Sequence, residues 1–272
     1  MSDQLQQDSN RSTDLGWRIK QLRLRRGLQQ KALARLANVD AAFLNRLERG
    51  GAGRSKPKPE TVYRLLDALQ ATPAEREAVF RVEVPPLSDE EMQSKVAEIA
   101  VELEVSPYPT ILVDDRWYRR YMNGLARRMY GLTEDEYRRS VNVHTLAAYL
   151  EPEQPLYSRS VDEERVYHFA RRVATFRTYF ADQQFDSWYL AVERYIKRFP
   201  VGRAVWENFE NNDLAVLPTY LLSQEVTFID PHGNIYHLMG RGDVLLKNPR
   251  FMILQFWPQD DDTRLLLDSL RA

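Results

Sequence analysis

At 272 residues with 43% hydrophobic side chains, the chain is long enough for one large domain or two ordinary ones with real cores. It has no cysteine, which excludes disulfides, thiolate metal sites and cysteine catalysis and fits a reducing compartment. No run of about 18 apolar residues is present, and the N-terminal MSDQLQQDSNRSTD lacks the apolar core of a signal peptide, so a cytoplasmic protein without membrane contact is expected.

The formal net charge of -1 conceals an asymmetry. Residues 1–70 carry fourteen Lys or Arg against seven Asp or Glu, leaving 24 basic and 32 acidic residues for the remainder. A basic segment joined to an acidic body points to a polyanion partner at one end, although the same charges also suit solvated helices. Leu15, Ile19 and Leu22, at i, i+4 and i+7, predict a first helix closed by Gly27 after Arg23, Arg25 and Arg26. In the next helix Leu33, Ala34 and Ala37 face inward, and Asn38 tolerates the left-handed conformation of a helix end. Val39 fills the corner. Asp40 can cap the following helix, which Leu44 and Leu47 anchor and Gly50 closes. Two helices joined by a three- to four-residue turn make a helix-turn-helix pattern.

Residues 15–70 resemble the xenobiotic-response-element (XRE) class of helix-turn-helix domains, the lambda-repressor-like fold. The resemblance runs from Gly27 to Gly50 and resumes at Pro59-Glu60-Thr61 and the apolar helix of Val62, Leu65, Leu66 and Leu69. Asn38 stands where that family often has Gly, Asp40 where it has Ser or Thr, and the loop after Gly50 is longer. The resemblance implies double-stranded DNA as partner, with the helix from Ala41 to Arg49 in the major groove. It assigns Ala41, Ala42, Asn45 and Arg46 to base edges: Arg46 for guanine, Asn45 for adenine, the alanines for thymine methyls. Gln30 matches a backbone-contacting position, and Lys31, Arg49, Arg54 and Lys56 are candidates for phosphates.

Thr72-Pro73-Ala74-Glu75 predicts another helix, and Val84-Pro85-Pro86 a stiff break, so the domains are drawn as 1–84 and 85–272. A helix follows from Ser88 with Val96, Ile99, Ala100 and Leu103 on one face. Thr110–Val113 reads as a strand, and the chain turns helical after Tyr121-Met122-Asn123, with Ala126, Met129 and Tyr130 before Gly131. Two amphipathic helices are expected: Glu164–Phe180, with Val166, Phe169, Val173, Phe176 and Phe180 inward, and Asp186–Phe199, with Trp188, Val192, Tyr195 and Phe199 inward. The C-terminal part changes period: strands around the turn Asp230-Pro231-His232-Gly233-Asn234, and a last strand Phe251–Trp257. Strands, then helices, then strands predict an α+β domain, an antiparallel sheet with helices over one face.

That order resembles a PAS-like sensor, and more closely the ligand-binding domain of MmyB-like transcription regulators. The resemblance rests on Pro109–Asp114, Tyr121-Met122-Asn123, Met129-Tyr130-Gly131, Val205-Trp206-Glu207-Asn208 with Asp213, and the closing hairpin. It implies a pocket for a small apolar ligand such as a fatty acid. Met122, Tyr130, Tyr149, Phe169, Phe176, Trp188 and Trp206 are the expected lining, with Arg172 (or Arg171 or Arg177) for an acid head; each aromatic also suits a plain core. The histidines at 144, 168, 232 and 237 do not predict a metal site, and neither a phosphate loop nor a nucleophile elbow is present. The chain is therefore expected to be a homodimeric regulator, not an enzyme, with no cofactor beyond the apolar ligand. The alternative is a second domain that docks a protein and holds no small molecule.

Overall fold

The computed structural model describes residues 15–50, 57–155, 157, 162–211 and 223–271. They form two compact units. The first comprises residues up to Pro85 together with Tyr179–Glu193, and the second comprises Pro86–Thr178 and Arg194 onward. The division after Pro85 lies one residue from the expected boundary. The inclusion of Tyr179–Glu193 in the first unit was not anticipated.

The first unit is helical: α1 (Leu15–Arg25), α2 (Gln30–Leu36), α3 (Ala41–Glu48), α4 (Pro59–Ala68) and α5 (Pro73–Phe80). Its breaks follow the sequence. Gly27 (φ +62°) and Asn38 (φ +50°) take the left-handed conformation that ends α1 and α2. Asp40 caps α3 by accepting from the Phe43 amide at 2.8 Å. Thr72 and Glu75 form a reciprocal capping box on α5. Ile19, Leu22, Leu33, Leu44, Leu47 and Leu65 meet in one core, and Val39 packs on its edge. The Tyr179–Glu193 segment adds a 3-10 turn, Ala181–Gln183, and the side chain of Phe185, only 1% exposed, to that core.

The second unit begins with α6 (Asp89–Glu104), β1 (Thr110–Asp114), β2 (Arg119–Met122), α7 (Gly124–Met129) and α8 (Glu134–Ser140). After the 3-10 turn Thr145–Tyr149 come α9 (Asp162–Tyr179), the last turn of α10 (Ser187–Ile196), whose residues up to Glu193 belong to the first unit, and α11 (Pro200–Asn211). It ends with β3 (Ser223–Ile229), β4 (Ile235–Val244), β5 (Phe251–Pro258) and α12 (Asp261–Arg271). The strands form one antiparallel sheet in the order β2-β1-β5-β4-β3. This α+β arrangement of one antiparallel sheet with helices agrees with the expected class, although elements cover both faces of the sheet and not one.

Strand alternation divides the sheet's side chains between two faces. Leu112 and Ile253, paired in register, belong with Phe251 to a cluster with Leu103, Val96 and Ile99 of α6. Their neighbours Ile111 and Leu254 face the other way, toward α9 and the 3-10 turn. Both faces of β1 are therefore covered, and all five of its residues are buried. Asn123 ties the entry together: its side chain accepts from the Ala126 and Thr110 amides and donates to the Leu103 and Tyr108 carbonyls. Asp230 organises the β3–β4 turn by accepting from the amides of His232 and Asn234 at 2.8 and 2.9 Å. Gly131 (φ +57°) is required at the end of α7, because a Cβ there would stand 2.6 Å from the Pro231 ring. In α9 Phe169, Val173 and Phe176 are buried as expected, but Val166 is 51% exposed.

Candidate nucleic-acid interface and candidate ligand cavity

The pose of α3 is set by a pair that sequence reasoning missed. Arg23 on α1 donates through Nε and Nη2 to both carboxylate oxygens of Glu48 at 2.8 Å, and through Nη1 to the Leu28 carbonyl at 2.7 Å. Both residues are buried. A fork-to-fork pair of this kind fixes direction as well as distance, so α3 is held against α1 from its last turn. Arg23 is therefore not a surface cation. Gln30, expected at the DNA backbone, is half-buried and donates to Glu48 at 3.0 Å. The signal lay in the spacing: Glu48 falls four residues after Leu44 and next to Leu47, on the inward side of α3.

The opposite side of α3 is open. Ala41, Ala42, Arg46 and Arg49 are exposed, Asn45 is half-buried, and Lys31 on α2 is exposed. These residues share one side of the helix pair, with a bonding fork (Arg46), an amide (Asn45) and two methyl groups. Arg54 and Lys56 lie outside the described residues. The unit's other buried charges are satisfied internally. Arg18, 2% exposed, donates to the carbonyls of Ala78 and Arg81 at 2.8 and 2.6 Å and closes the end of α5. Arg81 pairs with Asp182 at 2.7 Å and Asp186 at 3.3 Å, and Ser187 donates its amide and hydroxyl to Glu83 at 2.8 Å each. Burial, with Glu83 adding repulsion, pushes the Asp186 carboxyl up to about 6.

In the second unit a cavity of about 80 Å³ lies between the sheet and α9, lined by Ile111, Tyr130, Tyr149, Phe228, Leu254 and Phe256 together with Arg119, Thr145, His168 and Arg172. Of the expected lining, Tyr130, Tyr149 and Arg172 meet there. Met122, Phe169, Phe176 and Trp206 are buried in the same unit but do not line it. Phe176 packs edge-on to Trp117 and His144 and lies 6.1 Å from the Trp206 ring, so bulky aromatics close the space they were expected to enclose. Phe169 instead lines a second concavity, of about 250 Å³, with Tyr149, Leu150, Val166, Phe199 and Val201. Trp188 belongs to the first unit, stacked edge-on to Phe180 at 5.0 Å, because the chain has already left the second unit at Tyr179.

The cavity's charge comes from a residue with no apolar periodicity to reveal it. Arg119 on β2 is 2% exposed, and its Nε and Nη2 have no hydrogen-bond partner among the described residues. Burial lowers its pKa to about 10. Burial, and then the Arg119 charge, lower the neighbouring His144 to about 3, leaving it neutral. Its Nδ1 accepts from the Leu146 amide at 3.2 Å. Burial also raises the Tyr130 phenol, with Tyr149 adding to it. Among the described residues no group of His, Asp or Glu could hold a metal ion, and no helix is long and apolar enough to cross a membrane.

With the geometry in place, comparison with known proteins adds one firm point. The family model for a helix-turn-helix domain matches residues 14–79. No curated protein matches the chain. Among solved structures it is similar to one described as "Structure of an RNA-binding Light-Oxygen-Voltage Receptor", at 9% identity and a TM-score of 0.27, over 99% of this chain and 65% of that one. The chain thus spans less than two thirds of that structure's length. The α1–α5 bundle, with its exposed α3 face, is a helix-turn-helix domain.

Proposed function

We propose that the chain is a sequence-specific, double-stranded-DNA-binding transcription regulator of the XRE kind, whose second unit senses a small apolar ligand in an MmyB-like manner, a fatty acid being the ligand that resemblance implies. It works as a cytoplasmic homodimer, without catalysis and without a metal. The observation that carries this reading is the α3 face: exposed Arg46 and Arg49 on a helix clamped from behind by the buried Arg23–Glu48 pair. A groove-reading helix needs this combination of free donors and a fixed backbone.

The sensor role is supported by the mainly apolar cavity, and by the concavity beside it that shares Tyr149 as a wall. Connectivity supports a route outward. The helix α9 carries His168 and Arg172 of the cavity and runs on to Tyr179, where the chain enters the first unit and delivers Phe185 to its core. Pairing is supported by apolar side chains left in solvent in the second unit, Val101 and Val105 at 73% and 83% exposure and Leu246 at 97%. Two copies would then read half-sites about one helical turn apart.

Selection of duplexes from a random pool, followed by titration of the preferred site, tests the DNA-reading face. Arg46→Ala should cost about 1–3 kcal/mol on that site and relax discrimination at one position. Equal loss on preferred and random duplexes would remove Arg46 from base reading.

A further inference from the structure

The first unit contacts residues 182–187 one after another. Arg81 spans two acids with one guanidinium, donating from Nη1 to Asp182 at 2.7 Å and from Nε to Asp186 at 3.3 Å. Glu83 accepts from the amide and the hydroxyl of Ser187, both at 2.8 Å. The chain leaves α5 extended at Arg81, and Val82, between Arg81 and Glu83, is 82% exposed. That alternation is how an extended stretch presents every second side chain to a partner. Between the two acids Phe185 enters the core, edge-on to Trp17 at 6.0 Å and with the Arg25 guanidinium 5.3 Å from its ring centre. Arg25 also donates to the Gln184 side chain. Arg81, Glu83 and the segment they hold all lie outside residues 14–79, the extent of the helix-turn-helix family model. The segment is thus an addition to that domain. Its ion pair with Arg81 is partly open to solvent, with Arg81 and Asp182 side chains 24% and 25% exposed, and pairs of that kind hold weakly. Its grip on the core therefore depends mainly on one ring.

The helix that receives this ring also holds the reading helix. Arg18 and Arg25, seven residues apart on α1, share one side of it: Arg25 touches the segment, and Arg18 lies in the field of Asp186 and Glu83. Arg23 lies on the other side of α1, where it holds Glu48 at the end of α3. Resting on the sensor reading above, we propose that residues 182–187 are a releasable latch whose seating on α1 sets the pose of α3, and that this seat, which selects an aromatic ring flanked by acids, is where the second unit acts on DNA reading. A seated latch leaves α1 one position, and the Arg23–Glu48 fork passes that position to α3. With the latch out, α1 gains freedom and the fork loses its fixed base. Base contacts, which need exact placement, then suffer before phosphate contacts do.

Phe185→Ala in the full-length protein tests the latch, with amide exchange and DNA titration measured on the same sample. Exchange should quicken across residues 182–187 and α1 while α4 keeps its protection. Binding to the selected duplex should weaken about tenfold, the worth of one bidentate base contact, and binding to random duplexes by less than about twofold. Arg81→Gln, which frees both acids without touching the core, should shift the same quantities by smaller factors and serves if Phe185→Ala does not fold. Equal losses on the two kinds of duplex, or an unchanged preference while the segment exchanges freely, would overturn the latch and leave the sensor reading standing. In the unsubstituted protein saturating hexanoate, a short fatty acid, probes the second unit. It should change exchange at the Ser187 amide and affinity for the selected duplex together. A DNA response with no change at Ser187 would also overturn the latch. Bound hexanoate that moves neither, beside the expected effects of Phe185→Ala, would uphold the latch and overturn the sensor reading.

Discussion

The two units treat buried cations in opposite ways. In the helix-turn-helix unit each internal cation has partners: Arg18 has carbonyls, Arg23 has Glu48, and Arg81 has Asp182 and Asp186. In the sheet unit the Nε and Nη2 of the buried Arg119 have no partner among the described residues, beside a cavity. Paired charges with fixed geometry specify one shape, as a domain that must present a reading helix in register requires. Unmet donors beside a void are what a ligand of the proposed sensor would satisfy.

The sharpest way to break this contrast is to unpair the first unit. Glu48→Ala leaves the Arg23 charge buried alone and should cost about 3–5 kcal/mol, with loss of DNA binding although no DNA-facing residue changes. Chemical denaturation followed by DNA titration reads both effects. A cost below about 1 kcal/mol would mean that the pair behaves like a surface ion pair.

Phe185 tests whether the returning segment is a true part of that core. Phe185→Ala should destabilise the first unit by about 3 kcal/mol. Amide hydrogen exchange should show faster opening of α1 and α5. Unchanged protection there would mean that residues 179–193 decorate the domain and do not complete it.

The smallest effect is a pH response of opposite sign in the two units. The folded pKa of His144 is depressed to about 3, against about 6.5 when unfolded. The unfolded chain therefore takes the proton first. Stability is whole above about 6.5 and falls as pH drops toward 3, by about 2 kcal/mol between 6.5 and 5. The folded pKa of Asp186 is raised to about 6, so its contribution is fully present below the unfolded value near 3.8 and is lost as pH rises through about 6. Exchange protection between pH 5 and 7 should thus weaken in the second unit and strengthen in the first as pH falls. His144→Asn should flatten the one response and Asp186→Asn the other.

Local patterns were legible, and distant partners were not. Gly27, Asn38 and Asp40 placed the α1–α3 breaks because each answers to its own backbone. The α+β class followed from the change of period between α9 and the C-terminal strands. By contrast β2 went unread as a strand, because Arg119-Arg120-Tyr121 has neither apolar alternation nor a turn signal, and a bulge interrupts its register. Phe185 could not be placed, since its core partner Trp17 is far away in sequence. The aromatic stripes of α9 and α10 were read as a pocket, yet stripes of large rings fill space by interlocking, and the void is lined instead by Tyr130, Tyr149 and side chains of the sheet. Of the candidate site residues, the exposure of the α3 face was legible because an outward helix face needs only its own periodicity.

The central claim is that filling the second unit changes how the first holds DNA. Its most direct test is the affinity of the full-length protein for its selected duplex, measured by fluorescence anisotropy with and without saturating hexanoate at constant ionic strength. The account predicts a change of about fivefold or more, the lower end of ordinary allosteric coupling, and no change in Arg119→Met. An affinity that stays constant while hexanoate is shown to be bound would contradict it.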